Sequence, residues 1–144
     1  MNAKFQTRSI DVMIEGALSA LSQGGTKEIP LIDGRIVSVH ASPAKATSEK
    51  MATSEKMAMG VSALPPNYST PVHSHDAEEF ALVVRGAGVI SVDGVDIPVS
   101  SGSIVTVAPN VPHITTANSD GPMVVYWTYG PAGSESRWDP KGES

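Results

Sequence analysis

From Ile29 onward the chain is a succession of short, apolar-alternating runs separated by Gly, Pro, Asn and Asp. Side chains alternate across a strand with a period of two, so each run can present one face to a core and the other to solvent. The runs cover 35–41, 57–64, 72–75, 79–84, 89–92, 95–99, 104–107, 113–117 and 123–129. Asp33-Gly34 and Asp93-Gly94 each lie between two such runs, and Asp-Gly is the two-residue hairpin signal. Many short strands at this spacing imply an all-β fold, either a sandwich or a closed barrel.

The N-terminal part differs. Residues 9–22 have a helical pattern: Ser9 can cap, Ile10, Ile14, Ala17, Leu18 and Leu21 recur on one face, and Gly24-Gly25 ends the run. The apolar stripe calls for cover from the outside of a sheet or from a partner subunit. It lacks the flanking basic charge of a membrane-surface helix. The expected organisation is a helical segment 1–28, a single β domain 29–130 and a polar tail 131–144.

The chain has 144 residues and a net charge of −5, with no basic stripe, which argues against nucleic acid and anionic membrane surfaces as partners. No apolar run approaches the roughly 18 residues needed to span a bilayer. There are no cysteines, hence no disulfides and no thiolate ligands. With Asp11 and Glu15 interrupting any signal-like core, a cytoplasmic location is expected. The hexapeptide at 46–51, Ala-Thr-Ser-Glu-Lys-Met, is repeated identically at 52–57. It falls between two strands, where a duplication would lengthen a loop; a lid is the alternative reading.

Three of the four histidines belong to one pattern: His73, His75 and, some forty residues later, His113, with Glu78 and Glu79 following the first pair. Two histidines two apart share a strand face. Three neutral imidazoles and a carboxylate suit a divalent transition ion, and iron, manganese, nickel and zinc all accept this set. On parity alone Glu78 and Glu79 compete for the carboxylate position. His40 and Arg85 read as structural or surface residues.

The spacing resembles the cupin superfamily. Its first motif is matched by His73-x-His75, three residues, Glu79, six residues, Gly86, with Asn67 in place of the leading Gly. Its second is matched from Gly102 through Pro109 to His113, with Ala108 and Asn110 in place of Pro and Gly, and Asn118 one place late. Asn is the non-glycine residue that best tolerates a left-handed turn, so both exchanges keep the backbone requirement. The resemblance covers about residues 57–129. It implies a double-stranded β-helix (jelly-roll) barrel with one divalent metal ion held by His73, His75, Glu79 and His113, and it turns Glu78 outward.

The barrel interior then follows from alternation. With Glu79 facing in, Ala81 and Val83 face in; with His113, Thr115 does. In the last strand either Tyr126 with Thr128 or Trp127 with Tyr129 faces the cavity, and Tyr68 falls at its rim. Small, mostly apolar walls suit a small organic ligand. Similar single-domain cupins include dioxygenases, lyases, isomerases, decarboxylases and cyclases. The expected function is a metal-dependent enzyme acting on a small oxygenated molecule, with Glu79, Tyr126 and Tyr129 as catalytic candidates. The alternative is a non-catalytic, metal-stabilised binding or sensing module. Cupins of this size are often homodimers, in which the segment before Arg35 would cover or cross the partner.

Overall fold

A computed structural model describes residue 7 and residues 9–41 and 56–131. The duplicated hexapeptide lies mostly, and the polar tail beyond residue 131 entirely, outside the described residues. Among the described residues there are one helix, α1 (Ile10–Ser22), and eight strands: β1 (Ile36–Ala41), β2 (Ala58–Leu64), β3 (Glu78–Arg85), β4 (Ala87–Val92), β5 (Val95–Ser100), β6 (Ile104–Val107), β7 (His113–Ala117) and β8 (Met123–Gly130). They form two antiparallel sheets, one in the order β1-β2-β8-β3-β6 and the other in the order β5-β4-β7. The inner faces pack together: Leu64, Ala81, Val83, Val105, Val107 and Val125 of the larger sheet meet Ile90, Val99 and Ala117 of the smaller one. This is the jelly-roll sandwich. The ladders of the two sheets are separate; bridges Ser69–Thr116 and His73–His113 tie the segment after β2 to β7.

Turn chemistry fixes the corners. Asp33 and Gly34 have φ of 49° and 100°, and Asp93 and Gly94 of 51° and 81°. A two-residue turn of this kind needs positive φ at both positions. Asn67 (φ 66°) and Asn110 (φ 65°), the two residues that replace motif glycines, are both left-handed as well.

The outer face of the larger sheet carries α1. Met13, Ile14, Ala17 and Ala20 pack against Ile36, Val61, Ala63 and Val124. The seam is rotated from the expected stripe: Met13 and Ala20 join it, while Ile10 remains 38% exposed. Two alanines on the contact line let the helix approach the strands closely. Ser9 occupies the N-cap position with extended backbone, but its side chain makes no capping bond. At the other end the Gly25 amide donates to the Ala20 carbonyl at 2.8 Å, closing the helix through two left-handed glycines. The stripe is thus covered by the chain's own sheet.

One expected strand is absent. Residues 72–75 make only the single bridge at His73, where the His73 and His113 amides each donate to the other's carbonyl. Pro65, Pro66 and Pro71 precede it, and proline cannot donate to a ladder. No helix among the described residues is long and apolar enough to cross a membrane.

Candidate metal centre

The cavity opens between the inner faces. His73, His75, Glu79 and His113 all line it. His73 and His75 come from the segment before β3, Glu79 from the start of β3 and His113 from the start of β7. Ligand nitrogens of the three imidazoles lie within 4.8 Å of one another.

The orientation of each ring is set locally. Nδ1 of His73 lies 2.9 Å from the Pro71 carbonyl, Nδ1 of His75 3.0 Å from that of Ala77, and Nδ1 of His113 2.9 Å from that of Val111. A carbonyl only accepts, so Nδ1–H donates in all three. In a neutral imidazole this leaves Nε2 as the lone pair. For His75 and His113 that lone pair faces Glu79: Oε1 is 3.0 Å from His75 Nε2 and 3.6 Å from His113 Nε2. Carboxylate and lone pairs are all acceptors, so the cluster lacks a positive centre. A divalent cation satisfies it, and the backbone carbonyls are the outer partners that metal-ligating histidines ordinarily have. The donor set therefore fits a transition ion. In the metal-free cluster the positive charge comes from protons. Burial alone would raise the Glu79 carboxyl, but hydrogen bonds from His113 and His75 outweigh it and hold the group at about 2.

Of the expected walls, Ala81 and Thr115 line the cavity; Val83 does not, being fully buried in the adjoining sheet–sheet core. In β8 it is Trp127 and Tyr129 that face inward. They stack on one another with centroids 5.3 Å apart, and Tyr129 lies 5.3 Å from the His75 ring. Trp127 is fixed by its Nε1–H, which donates to Ser62 Oγ at 3.0 Å. Tyr126, one of the expected catalytic residues, points the other way. It packs under α1, and its hydroxyl donates to Met59 Sδ. Alternation forces that outcome: with Tyr129 paired to Glu79 across β3–β8, Tyr126 must face out.

Two polar lining residues escaped the sequence reading, Ser62 and Arg35. Arg35 is 6% exposed and ion-paired to Asp33, Nε to Oδ1 at 3.1 Å. The available signal was parity: Arg35 shares its face with Val37 and Val39, which are both core residues. Tyr68, expected at the rim, donates its hydroxyl to Asp33. Burial and the Asp33 carboxylate push its phenol up to about 12, so it is a neutral donor rather than a phenolate base.

The chain belongs to the cupin superfamily. A cupin-domain family model matches residues 60–129. A cupin protein from Bacteroides fragilis is 31% identical, with 55% of this chain and 69% of that one covered and a TM-score of 0.50. An RmlC-like cupin from Shewanella frigidimarina superposes with a TM-score of 0.58 over 76% of this chain and 87% of its own, at 19% identity. Among curated proteins, dimethylsulfoniopropionate lyase DddW of Ruegeria pomeroyi is 27% identical over 70 residues, which is 49% of this chain and 46% of that protein. The chain thus matches less than half the length of that relative.

Proposed function

We propose that this protein is a metal-dependent lyase acting on a small oxygenated carboxylic molecule, removing a proton beside the carboxyl or carbonyl carbon as a bond further along breaks. The observation that carries the metal part is the set of three imidazoles whose Nδ1 atoms are all bonded to backbone carbonyls. An iron, manganese, nickel or zinc ion held by His73, His75, Glu79 and His113 would supply Lewis-acid polarisation of a substrate oxygen. Elimination is preferred over oxidative cleavage because the curated relative is a lyase.

The chain's own residues supply the rest. Tyr129 is buried in the cavity wall beside His75 and opposite Glu79. Its hydroxyl is placed to hold or move the substrate proton. Trp127 behind it keeps water from that side. Glu79 completes the donor set and can accept the Tyr129 proton across the strand pair, which leaves the phenolate to take the substrate proton. The cytoplasmic setting and the homodimer stay part of this reading. For the dimer, the outer face that α1 leaves uncovered carries Phe80 and Ile104, 52% and 70% exposed, next to the β6 edge.

Elemental analysis of purified protein should give one transition ion per chain, and His75→Ala should lose it. The loaded forms are then screened by mass spectrometry for alkene products, with dimethylsulfoniopropionate and small hydroxy acids as substrates. Tyr129→Phe should lower kcat about 100-fold or more, the usual weight of a general acid–base group. Tyr126→Phe should leave it unchanged. Equal metal content in wild type and His75→Ala removes the centre. Absence of turnover with every metal, alongside tight binding of one of these ligands, favours the binding module.

A further inference from the structure

We propose that Arg35 is the anion-recognition residue of the cavity and that the ligand therefore enters with a carboxylate directed at its guanidinium. The inference deepens the proposed function, since it names what the cavity selects. It stands on observations separate from the metal ligands.

Arg35 lies outside the span of 60–129 that matches the cupin family. Its side chain is nonetheless in the wall of the cavity that holds the four metal-ligand candidates. A buried guanidinium is costly unless paired, and apolar residues would fill this place at no such cost. Val37 and Val39 do so on the same face of β1. A cation has been kept where the strand's own pattern calls for a hydrophobe.

The surroundings hold that cation in one pose. Asp33 grips it by two oxygens, Oδ1 at 3.1 Å from Nε and Oδ2 at 3.3 Å from Nη2. Asp33 itself sits in the tight turn before β1, closed by reciprocal amide–carbonyl bonds between Ile32 and Arg35. The Tyr68 hydroxyl donates to both the backbone carbonyl and the carboxylate of Asp33. The Tyr68 ring lies over Gly34 so closely that a Cβ there would sit 2.7 Å from it. Turn, carboxylate and phenol together make a clamp on the guanidinium.

Electrostatics point the same way. The Asp33 side chain is 33% exposed and the Arg35 side chain 7%. Solvent screens the anion of the pair more than the cation, so the buried side of the pair is weighted towards the guanidinium. Glu79 with three neutral imidazoles and a divalent ion adds a further positive charge. A carboxylate matches the sign of Arg35, whose guanidinium carries five N–H donors, more than the two that Asp33 engages.

The test is calorimetric titration of zinc-loaded protein with glycolate, 3-hydroxypropionate and 4-hydroxybutyrate, each against its amide of the same size. The wild type should bind at least one carboxylate better than its amide. Arg35→Gln should weaken that carboxylate about 10- to 100-fold, the range for losing a charged hydrogen-bonding partner. It should leave the amide within about twofold and the zinc content unchanged. Arg35→Lys keeps the charge and loses the fork; its carboxylate affinity should fall between the two. Should Arg35→Gln not fold, Arg35→Lys alone decides, and undiminished carboxylate affinity in it overturns the proposal. So does a wild type that binds no carboxylate better than its amide. His75→Ala separates the two readings. It should remove the zinc, while carboxylate binding to the zinc-free protein should still depend on Arg35.

Discussion

Glu79→Gln should act in opposite directions on the metal-free and the metal-loaded protein. At pH 8 the metal-free cluster brings the Glu79 Oε1 to 3.0 Å and 3.6 Å from two imidazole Nε2 lone pairs. Each of those rings has its proton on Nδ1, bonded to a carbonyl. While the imidazoles are neutral, three acceptors crowd together with no proton between them. Gln puts an NH₂ group in place of one oxygen and can donate to a lone pair already in range. A neutral hydrogen bond is worth about 1 kcal/mol, or about 4 °C in Tm for a chain this size. The metal-free variant should therefore melt at the wild-type temperature or up to about 4 °C above it. With zinc at about 100 times its Kd, the wild type gains about 2.7 kcal/mol, or about 11 °C. Loss of the carboxylate takes away a ligand and a charge. If affinity falls about 100-fold, the same zinc concentration gives the variant only about 0.4 kcal/mol, or about 2 °C. Thermal melts of chelator-stripped protein with and without zinc read both numbers. Equal zinc-induced rises in the two proteins would refute the ligand role. A metal-free variant several kcal/mol less stable than wild type would show instead that Glu79 is a structural partner of the imidazoles.

Acid should reverse the comparison in the metal-free protein. With the imidazoles protonated, ionised Glu79 accepts from them, and its carboxyl is held at about 2 against an ordinary 4.5. While those imidazoles keep their protons, the depressed folded value contributes stability that is complete above the unfolded value of 4.5 and is lost as pH falls toward 2. The advantage of wild type over Glu79→Gln in urea melts should therefore shrink across that window; a constant difference would contradict the linkage. Ile14→Ala, at a site 2% exposed between α1 and the sheet, should cost about 2–5 kcal/mol by urea denaturation. A loss under about 1 kcal/mol would show that α1 is not docked on β1 and β2. Ile104→Asp should convert a homodimer to monomer in light scattering, because it places a charge on the exposed apolar face at β6; an unchanged dimer would put the interface elsewhere.

The histidine cluster was legible in the sequence because its determinants are local. His73, His75 and His113 bond carbonyls two residues away, so spacing along the chain encodes ring orientation. Asn67 and Asn110 could be read as left-handed for the same reason: turn chemistry belongs to the residue itself. The orientation of β8 could not be read. Its outward Val124 and Tyr126 are covered by α1, and its inward Val125 and Trp127 by the cavity and core. A strand with both faces covered carries no alternation signal, so Tyr126 and Tyr129 looked equivalent. The segment 72–75 was misread for the opposite reason. Two histidines two apart imitate strand alternation, although the segment makes one isolated bridge and no ladder. Arg35 was missed because its cavity is assembled from the turn before β1, the segment before β3, and β2, β3, β7 and β8; parity gives its face but not that proximity.

These differences in legibility separate two layers of function. The donor set is carried by short loops and strand ends, each largely self-orienting, and it falls within the 60–129 segment that matches the cupin family. The residue proposed to give the cavity its charge preference is supplied by the turn before β1, outside that segment, and is held through Asp33 by a tyrosine thirty-five residues away from it. A locally encoded centre can be kept while walls brought from elsewhere are exchanged. The family match therefore bears on what ion the site can hold, and much less on what molecule it meets. On that division, substitutions at His75 and Arg35 should act on separate properties. The first should remove the ion whatever ligand is offered. The second should change which ligand is preferred while the ion stays bound.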